Sequence, residues 1–255
     1  MNFSVVAPIH NEERNLLYSL PSLFKLDPDE VVFVLDNCTD RSKQFIEAYV
    51  EKIRYRGSIR LIEVREIPTD WKYRVAYLFR LGYREARNDT ILTMAGDVIL
   101  DPSIRNIIEG FGRDDVKIIS FGSKPYPLDT TYFLRRIISR VLPRTAFSGL
   151  FLFSRSAWLE TELEQDAKRI LKAQDTLTFK SIKRKYASRY IWTNSLHLRS
   201  RFNESKYYYT RGQVSYQVSR RGTLFMFLSS IVYLHPHMFV GYMHAKRMRI
   251  KQVTA

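Results

Sequence analysis

The first hundred residues alternate short apolar runs with segments in which apolar residues recur at helical spacing. The runs have the length of buried parallel strands, and the segments between them have the length of surface helices. The pattern predicts strands at 3–9, 30–35, 59–64 and 90–94, and helices at 13–24, 42–54 and 73–87. This order is typical of repeated βα units, so the sequence predicts an α/β fold with a doubly wound, mostly parallel sheet flanked by helices.

Polar and acidic clusters follow three of these predicted strands. Ligands of doubly wound sheets bind in the crevice beyond the carboxyl ends of the strands. We therefore expect the loops at 8–13, 35–40 and 95–101 to line one site.

After residue 116 the pattern is less regular. It predicts strands at 116–121 and 149–154, helices at 130–142 and 166–185, and a loop rich in Tyr and Arg over 186–218. Residues 222–245 contain no charged side chain and are long enough to span a bilayer. Ser229, Ser230, His235, Pro236 and His237 interrupt this stretch, which favours a bent interfacial or core-packed helix over a spanning one.

Composition limits the class of protein. Hydrophobic residues make up 45% of the 255 residues, with only 10 Gly and 9 Pro, which indicates a packed globular chain. The single cysteine, Cys38, excludes an intrachain disulfide and a cysteine-based zinc site, and it fits a reducing compartment. The chain begins directly on a strand pattern, so we expect no signal peptide.

The net charge of +15 is concentrated in the last third of the chain. Residues 176–255 hold 15 Lys and Arg but one acid, Glu204. A basic region of this size attracts phosphates, whether on nucleic acid, anionic lipid headgroups or a diphosphate substrate. The alternative is a solvated basic face that serves solubility alone.

Asp97 directly follows the predicted strand at 90–94, next to Gly96. A carboxylate at a strand end, beside small residues that let a ligand approach, can hold Mg²⁺ or Mn²⁺ against substrate phosphates. A turn or helix-capping role ahead of Pro102 is the alternative.

Two further loops, like the one that holds Asp97, directly follow predicted strands: the strand at 30–35 and the strand at 3–9. Asp36 can accept hydrogen bonds from a base or ribose, whereas helix capping is the role we favour for Asp40. His10, Asn11, Glu12 and Glu13 follow the first strand, where acids are also favoured by a helix start.

Asp175 lies among apolar and cationic residues at the edge of the basic third. A carboxylate beside an acceptor hydroxyl is the general base that a direct displacement requires. A surface acid is the alternative. The sequence contains no P-loop, dinucleotide fingerprint or G-x-S-x-G elbow, which excludes three other enzyme classes.

Taken together, the first hundred residues resemble the inverting family 2 glycosyltransferases, which have the GT-A fold. Residues 4–13 (SVVAPIHNEE) are similar to the family's opening strand and its P-x-x-N-E turn, and residues 34–42 (VLDNCTDRS) to its V-D-D-G-S-T-D segment. Trp71-Lys72 falls where the family has G-K, and residues 86–97 (ARNDTILTMAGD) match the stretch that ends in D-x-D. The resemblance is clear over residues 3–102.

The resemblance implies a role for individual residues. Pro8, Asn11, Glu12, Asp36, Lys72, Gly96 and Asp97 would bind the donor, Asp97 would hold Mn²⁺ or Mg²⁺, and Asp175 would match the catalytic base of the E-D motif. Leu35, Ala95 and Gln174 stand where the family has acids, and the Q/R-x-x-R-W element is absent, with only Arg220-Arg221-Gly222 nearby. The missing carboxylate at Ala95 would weaken the ribose or metal shell.

The sequence therefore predicts a GT-A transferase domain over 1–221, with a nucleotide-binding half at 1–115 and an acceptor half at 116–221, and a basic helical extension over 222–255. We expect it to move a sugar from a UDP- or GDP-sugar to a glycan or lipid-linked acceptor, in the cytoplasm, with peripheral contact to an anionic membrane and no nucleic acid partner. The alternatives are a catalytically lapsed relative that binds anionic membrane or nucleic acid, and a nucleotidyl transferase.

Overall fold

The computed structural model describes residues 1–126, 150–198, 204–218, 222–232 and 235–252. The strands are β1 Ser4–Ile9, β2 Glu30–Asp36, β3 Ser58–Val64, β4 Thr90–Thr93, β5 Val98–Ile99, β6 Val116–Tyr126, β7 Phe151–Ser154 and β8 Ala187–Leu198. The helices are α1 Glu13–Phe24, α2 Ser42–Ile53, α3 Arg74–Glu85, α4 Ile104–Gly110, α5 Arg155–Thr161, α6 Glu164–Arg169, α7 Gln174–Lys183, α8 Glu204–Gln217, α9 Thr223–Val232 and α10 Pro236–Arg247. The helix predicted at 130–142 lies outside the described residues.

All described strands join one sheet in the order β3-β2-β1-β4-β7-β6-β8-β5. The first four strands in this order, β3, β2, β1 and β4, are parallel to one another. Strands β6 and β8 also form a parallel pair. Strand β7 is antiparallel to both β4 and β6, and β5 is antiparallel to β8. The predicted α/β fold with a mostly parallel sheet is confirmed.

Helices cover both faces of the sheet because successive side chains of a strand point to opposite sides. Val5, Ala7 and Ile9 of β1 pack in a cluster with Leu16 and Leu20 of α1. Val6, from the same strand, instead joins a cluster with apolar residues of the helices on the other face, among them Leu78, Tyr83, Trp158 and Phe179. Both faces are thus buried, which explains why β1 and β2 are continuous apolar runs.

The sheet must curl because β4 and β5 are close in sequence but far apart in strand order. A flat sheet would place them about 19 Å apart. The residues between Thr93 and Val98 would span about 18 Å only if fully extended, and they include a turn in which Val98 N–H donates to Ala95 C=O. Asp101 fixes the curl, since its N–H donates to Ser195 Oγ at 2.9 Å and its carboxylate accepts from Asn194 N–H at 2.6 Å.

The prediction of a single helix over 166–185 is wrong. Helix α6 ends at Arg169, and α7 begins at Gln174 after Ala173 adopts a left-handed conformation with φ of 67°. Gln217 of α8 explains the break: its Nε2 donates to Arg169 C=O at 2.8 Å, and its Oε1 accepts from Leu171 N–H at 2.9 Å. These tertiary hydrogen bonds occupy backbone groups that a continuous helix would pair internally.

The prediction of a loop over 186–218 is also wrong. This range contains β8 and the whole of α8. Strand β8 pairs with β6 on one side and β5 on the other, so its backbone groups are satisfied by partners distant in sequence. Its Tyr- and Arg-rich composition gave no sign of that pairing.

The apolar stretch 222–245 forms two helices, α9 and α10, where the sequence predicts one bent helix. Pro236 lies at the start of α10, a position that proline suits because the first helical N–H groups have no partner within the helix. In the described part of the chain, every helix is too short or too polar to cross a membrane.

Two glycines allow α8 and α10 to approach very closely. A Cβ atom at Gly212 would lie 1.9 Å from Met238 O, and one at Gly241 would lie 2.0 Å from Tyr209 O. Because the obstructing atoms belong to the backbone, a rotamer change cannot relieve the clash. The pair therefore fixes α10 against α8.

We predict that Gly212→Ala or Gly241→Ala lowers the free energy of unfolding by about 1–3 kcal/mol, because the helices must separate. Urea denaturation measures the change. Gly110→Ala in α4 is the matched control, since nothing lies within 4 Å of its added Cβ. An equal loss in the control would contradict the close-packing account.

Candidate active site

The loops that follow β1 and β2 are tied together by Asn11 and Asp40. Asn11 adopts a left-handed conformation with φ of 53°, which asparagine tolerates better than most residues. Its Oδ1 accepts from Thr39 N–H at 2.8 Å and from Asp40 N–H at 3.3 Å. The Asp40 carboxylate accepts from Glu13 N–H and Ser42 N–H, both at 3.0 Å. Asp40 thus serves the start of both α1 and α2, in agreement with the favoured capping role.

Gly96 brings the loop after β4 against the loop after β1. A Cβ atom there would lie 2.9 Å from both Glu12 Cγ and Ile9 Cδ1. Burial raises the pKa of Glu12, and the negative charges of Asp97 and Asp40 raise it further, while a 2.6 Å hydrogen bond from Asn15 Nδ2 opposes the shift. The structure therefore brings Glu12, Gly96 and Asp97 together.

Asp97 pairs with His197, a residue that the sequence analysis did not single out. His197 Nε2 lies 2.9 Å from Asp97 Oδ2, and both side chains are largely shielded from solvent. Leu198 N–H also donates to Asp97 C=O at 2.8 Å, next to the β5–β8 pairing. Only the position of β8 could have revealed His197, and that strand was not predicted.

The chain supplies few protein ligands for a cation at this point. Within the described ranges, no group of three or more His, Cys, Asp or Glu could hold a metal ion. Asp97 and His197 form a pair only. Mg²⁺ is commonly held by one or two carboxylates together with substrate phosphates, so the Asp97 carboxylate, with His197 beside it, fits an ion shared with a diphosphate.

Asp36 is buried at the end of β2, where two cationic or polar side chains contact it. Arg74 Nε donates to its carboxylate, and Arg74 Nη2 donates to Val64 C=O at 3.0 Å. His10 Nδ1 donates to Asp36 C=O at 2.6 Å. Pro8 of β1 lies near the same end of the sheet, in register with Val34 of β2. Arg74 was missed because it opens α3, far from Asp36 in sequence.

Asp175 belongs to a second group, in the first turn of α7. Its Oδ1 accepts from Thr176 N–H at 2.7 Å. Burial raises the pKa of Asp175, and the positive charges of Arg211 and Lys172 oppose that shift. Burial raises the pKa of the Tyr83 hydroxyl, Arg80 opposes that shift, and the negative charge of Asp175 adds to it. The contacts in the described part of the chain do not join Asp175 directly to Asp97.

Lys72 lies beside α6, near the helices that surround Asp175. Its N–H donates to Lys168 C=O at 2.9 Å, while its side chain is exposed. Trp71 packs with Leu177 of α7 and Val214 of α8. Gln174, the neighbour of Asp175, is buried and donates Nε2 to Thr178 Oγ1 at 2.7 Å, which is a structural contact within α7. Arg220 and Arg221 lie outside the described residues.

Comparisons with solved structures agree with this architecture. The chain is similar to the mannosyltransferase PcManGT from Pyrobaculum calidifontis, solved with GDP-Man and Mn²⁺, with a TM-score of 0.62 and 17% identity over 83% of this chain and 61% of that chain. It is also similar to S. aureus TarS 1-349, with a TM-score of 0.60 and 14% identity over 85% of this chain and 65% of that chain. The chain thus spans less than two thirds of either protein.

A nucleotidyl transferase shares the fold as well. The inositol-1-phosphate CTP transferase from T. maritima has a TM-score of 0.55 and 13% identity, over 81% of this chain and 94% of that chain. At these identities the likeness concerns the fold alone. No curated protein sequence matches the chain.

The sequence itself carries the family signal. The family model described as glycosyl transferase family 2 matches residues 4–191, which include β1 to β7 and the residues Glu12, Asp36, Asp97 and Asp175. The chain therefore belongs to glycosyl transferase family 2.

Proposed function

We propose that this protein transfers a sugar from a nucleoside-diphosphate sugar to an acceptor hydroxyl by a metal-assisted, inverting displacement. The observation that carries the proposal is the Asp97–His197 pair beside Glu12, at the carboxyl ends of β1 and β4, in a chain of glycosyl transferase family 2. This is where ligands of such sheets bind. The UDP- or GDP-linked class of donor is supported by the GDP-Man complex of PcManGT and by a UDP-GlcNAc complex of TarS 1-349.

Asp97 and His197 would hold Mn²⁺ or Mg²⁺. Asp97 Oδ2 and His197 Nε2 lie 2.9 Å apart, so both side chains would contact the same ion. The bound ion would neutralise charge on the departing nucleoside diphosphate. His197 would compensate in part for Ala95, which offers no carboxylate.

The other residues would bind and orient the donor. Asn11 and Glu12 shape the loop after β1, and Asp36, positioned by Arg74, would accept hydrogen bonds from base or ribose. Pro8 and Gly96, near the carboxyl ends of β1 and β4, would contact the nucleotide, and the exposed Lys72 would approach the donor from the Asp175 side. Asp175 would take the proton of the acceptor hydroxyl as its oxygen attacks the anomeric carbon, and a single displacement inverts that carbon. Its raised pKa makes the carboxylate a stronger base than an exposed aspartate.

The acceptor that we propose is a glycan or a lipid-linked glycan, in the cytoplasm or at the inner face of the cell membrane.

Nucleotidyl transfer is the second candidate function, because the T. maritima transferase aligns over most of its own length. The products separate the two reactions: sugar transfer releases a nucleoside diphosphate, whereas nucleotidyl transfer releases pyrophosphate.

Asp97→Ala tests the metal and diphosphate role. We expect UDP or GDP with Mn²⁺ to raise the Tm of the wild type by several degrees, since a ligand at 100 Kd stabilises a protein by about 2.7 kcal/mol, and we expect the variant to lose this rise. A thermal shift assay measures it. Asp114→Ala removes an exposed carboxylate paired with Arg189 and should keep the rise. Undiminished protection of Asp97→Ala would overturn the assignment.

Asp175→Asn tests the base. Loss of a general base lowers turnover by about 100-fold to 10,000-fold, so the rate of sugar transfer from UDP- or GDP-sugars should fall by that factor. The nucleotide affinity measured by calorimetry should stay within about threefold of the wild-type value. Asp166→Asn in α6 is the control, with transfer expected to persist. Full activity of Asp175→Asn would exclude this residue as the base.

The raised pKa of Asp175 also predicts a pH-dependent difference in stability. The folded state keeps the Asp175 carboxyl protonated at pH values where the unfolded state has released that proton. The contribution of Asp175 to stability therefore falls as pH rises from about 4 towards its folded pKa. Asp175→Asn removes this loss. The free energy of unfolding of the variant, relative to wild type, should therefore increase from about pH 4 to about pH 7 in urea titrations; a constant or decreasing difference would contradict the buried environment.

A further inference from the structure

Helix α9 exposes an apolar stripe to solvent. Leu224, Phe227, Leu228 and Ile231 follow one another at the spacing of a single helical face, and each is between 46% and 72% exposed. Stripes of this kind ordinarily face a protein core. In this structure the stripe is turned outward.

The orientation of α9 is fixed by its opposite face. Met226 is fully buried, and Ser229 and Ser230 are nearly so. At the edge of the stripe, the half-exposed Phe227 contacts Phe239 of α10 edge to face, with ring centroids 5.4 Å apart. On the buried face, His235 N–H donates to Ser230 C=O at 2.9 Å. A rotation of α9 that hides the stripe would expose this packed face instead.

The apolar surface continues onto α10. Val240 and Met243 are exposed, and a cavity of about 420 Å³ joins the two helices. Its lining residues are Phe227, Ser230, Ile231, Pro236, Phe239 and Val240. The exposed side chains of α9 and α10 therefore form one continuous face, which we call the apolar face.

A group of basic side chains borders the apolar face. Lys246, Arg247, Arg249 and Lys251 are all exposed, and Lys246 Nζ donates to Thr223 Oγ1 at 3.1 Å, which places the end of α10 beside the start of α9. The sequence has no acid after Glu204, and none of these four cations forms an ion pair within the described residues. We call these four residues the basic cluster.

We propose that the apolar face and the basic cluster dock this protein on an anionic phospholipid bilayer, with α9 and α10 lying in the interface. Apolar side chains beside Lys and Arg are the combination that binds this surface, where acyl chains receive the former and anionic headgroups the latter. Both helices are too short to span, so they would lie along the surface. A second copy of the chain fits less well, because the same face on a partner would offer no acid to the basic cluster: the sequence has none after Glu204.

This docking does not depend on the transfer reaction. It would hold the chain at the surface where a lipid-linked acceptor is found, but the same contacts would form without catalysis. Binding to vesicles and binding of nucleotides can therefore be tested separately on the same variants.

The experiment is co-flotation of the full chain with vesicles of phosphatidylcholine alone or mixed with phosphatidylglycerol. We expect binding to the mixed vesicles that weakens with added salt. Leu228→Glu with Ile231→Glu should reduce binding at least tenfold. Leu17→Glu with Leu159→Glu is the matched control, since these leucines are 53% and 46% exposed on α1 and α5 and lie outside the apolar face. The control should bind as wild type does.

A second pair of variants tests the charges. Arg249→Glu with Lys251→Glu should weaken binding to mixed vesicles by at least about fivefold per residue, the effect of one basic side chain near an anionic surface. Lys52→Glu with Arg56→Glu makes the same change in net charge on α2 and the segment after it, and should bind as wild type does. Thermal unfolding followed by circular dichroism should give the wild-type Tm, within a few degrees, for all four double variants, which shows that each is folded.

Three outcomes would overturn the proposal. The first is the absence of wild-type binding to mixed vesicles, and the second is an equal loss in a matched control. The third is a concentration-dependent dimer, seen by light scattering and abolished by Leu228→Glu with Ile231→Glu, without vesicle binding; the apolar face would then be an interface between copies. Loss of nucleotide binding in the wild type would count against the proposed transferase function and leave the docking result unaffected.

Discussion

The short connection from β4 to β5 is the constraint on which the site depends. It holds Gly96 and Asp97, and it must reach from the parallel half of the sheet to β5, which pairs with β8 at the far end of the strand order. The sheet curls to permit this, and the curl brings His197 of β8 within 2.9 Å of Asp97. A side chain one hundred residues along the chain from Asp97 thereby joins the loop that follows β4.

Burial on one face of the sheet accompanies two of the departures from the family pattern. Leu35 and Ala95, which stand where the family has acids, pack in the apolar cluster on one face of the sheet. A carboxylate at Leu35 would be buried among hydrocarbon side chains at high cost. The remaining charged groups are paired in polar surroundings: Asp36 with Arg74, and Asp97 with His197. The site therefore has fewer acids, and each has a defined partner.

The sequence was sufficient for the parallel half of the fold because local periodicity and buried apolar runs determine those elements. It predicted β1 to β4 and α1 to α3 within about two residues, the ordinary uncertainty of such boundaries. It also placed Asn11, Glu12, Asp36 and Asp97 in loops that the structure brings to one edge.

Interactions between distant segments account for what the sequence missed. The break between α6 and α7 depends on Gln217, and β8 exists because β6 and β5 pair with it. His197 and Arg74 acquire their partners only through that tertiary structure. The exposed stripe of α9 was equally hidden, since an apolar helical pattern does not say whether it faces protein or solvent.

The central claim is that Asp97 and His197 hold a cation against a nucleoside diphosphate at the carboxyl ends of the parallel strands. A crystal structure of the protein with UDP or GDP and Mn²⁺, with anomalous data collected at the manganese edge, tests it most directly. The account predicts one anomalous peak bonded to the Asp97 carboxylate and to His197 Nε2, with the diphosphate completing the coordination. A peak that is bound elsewhere, with Asp97 and His197 still paired to each other, would contradict it.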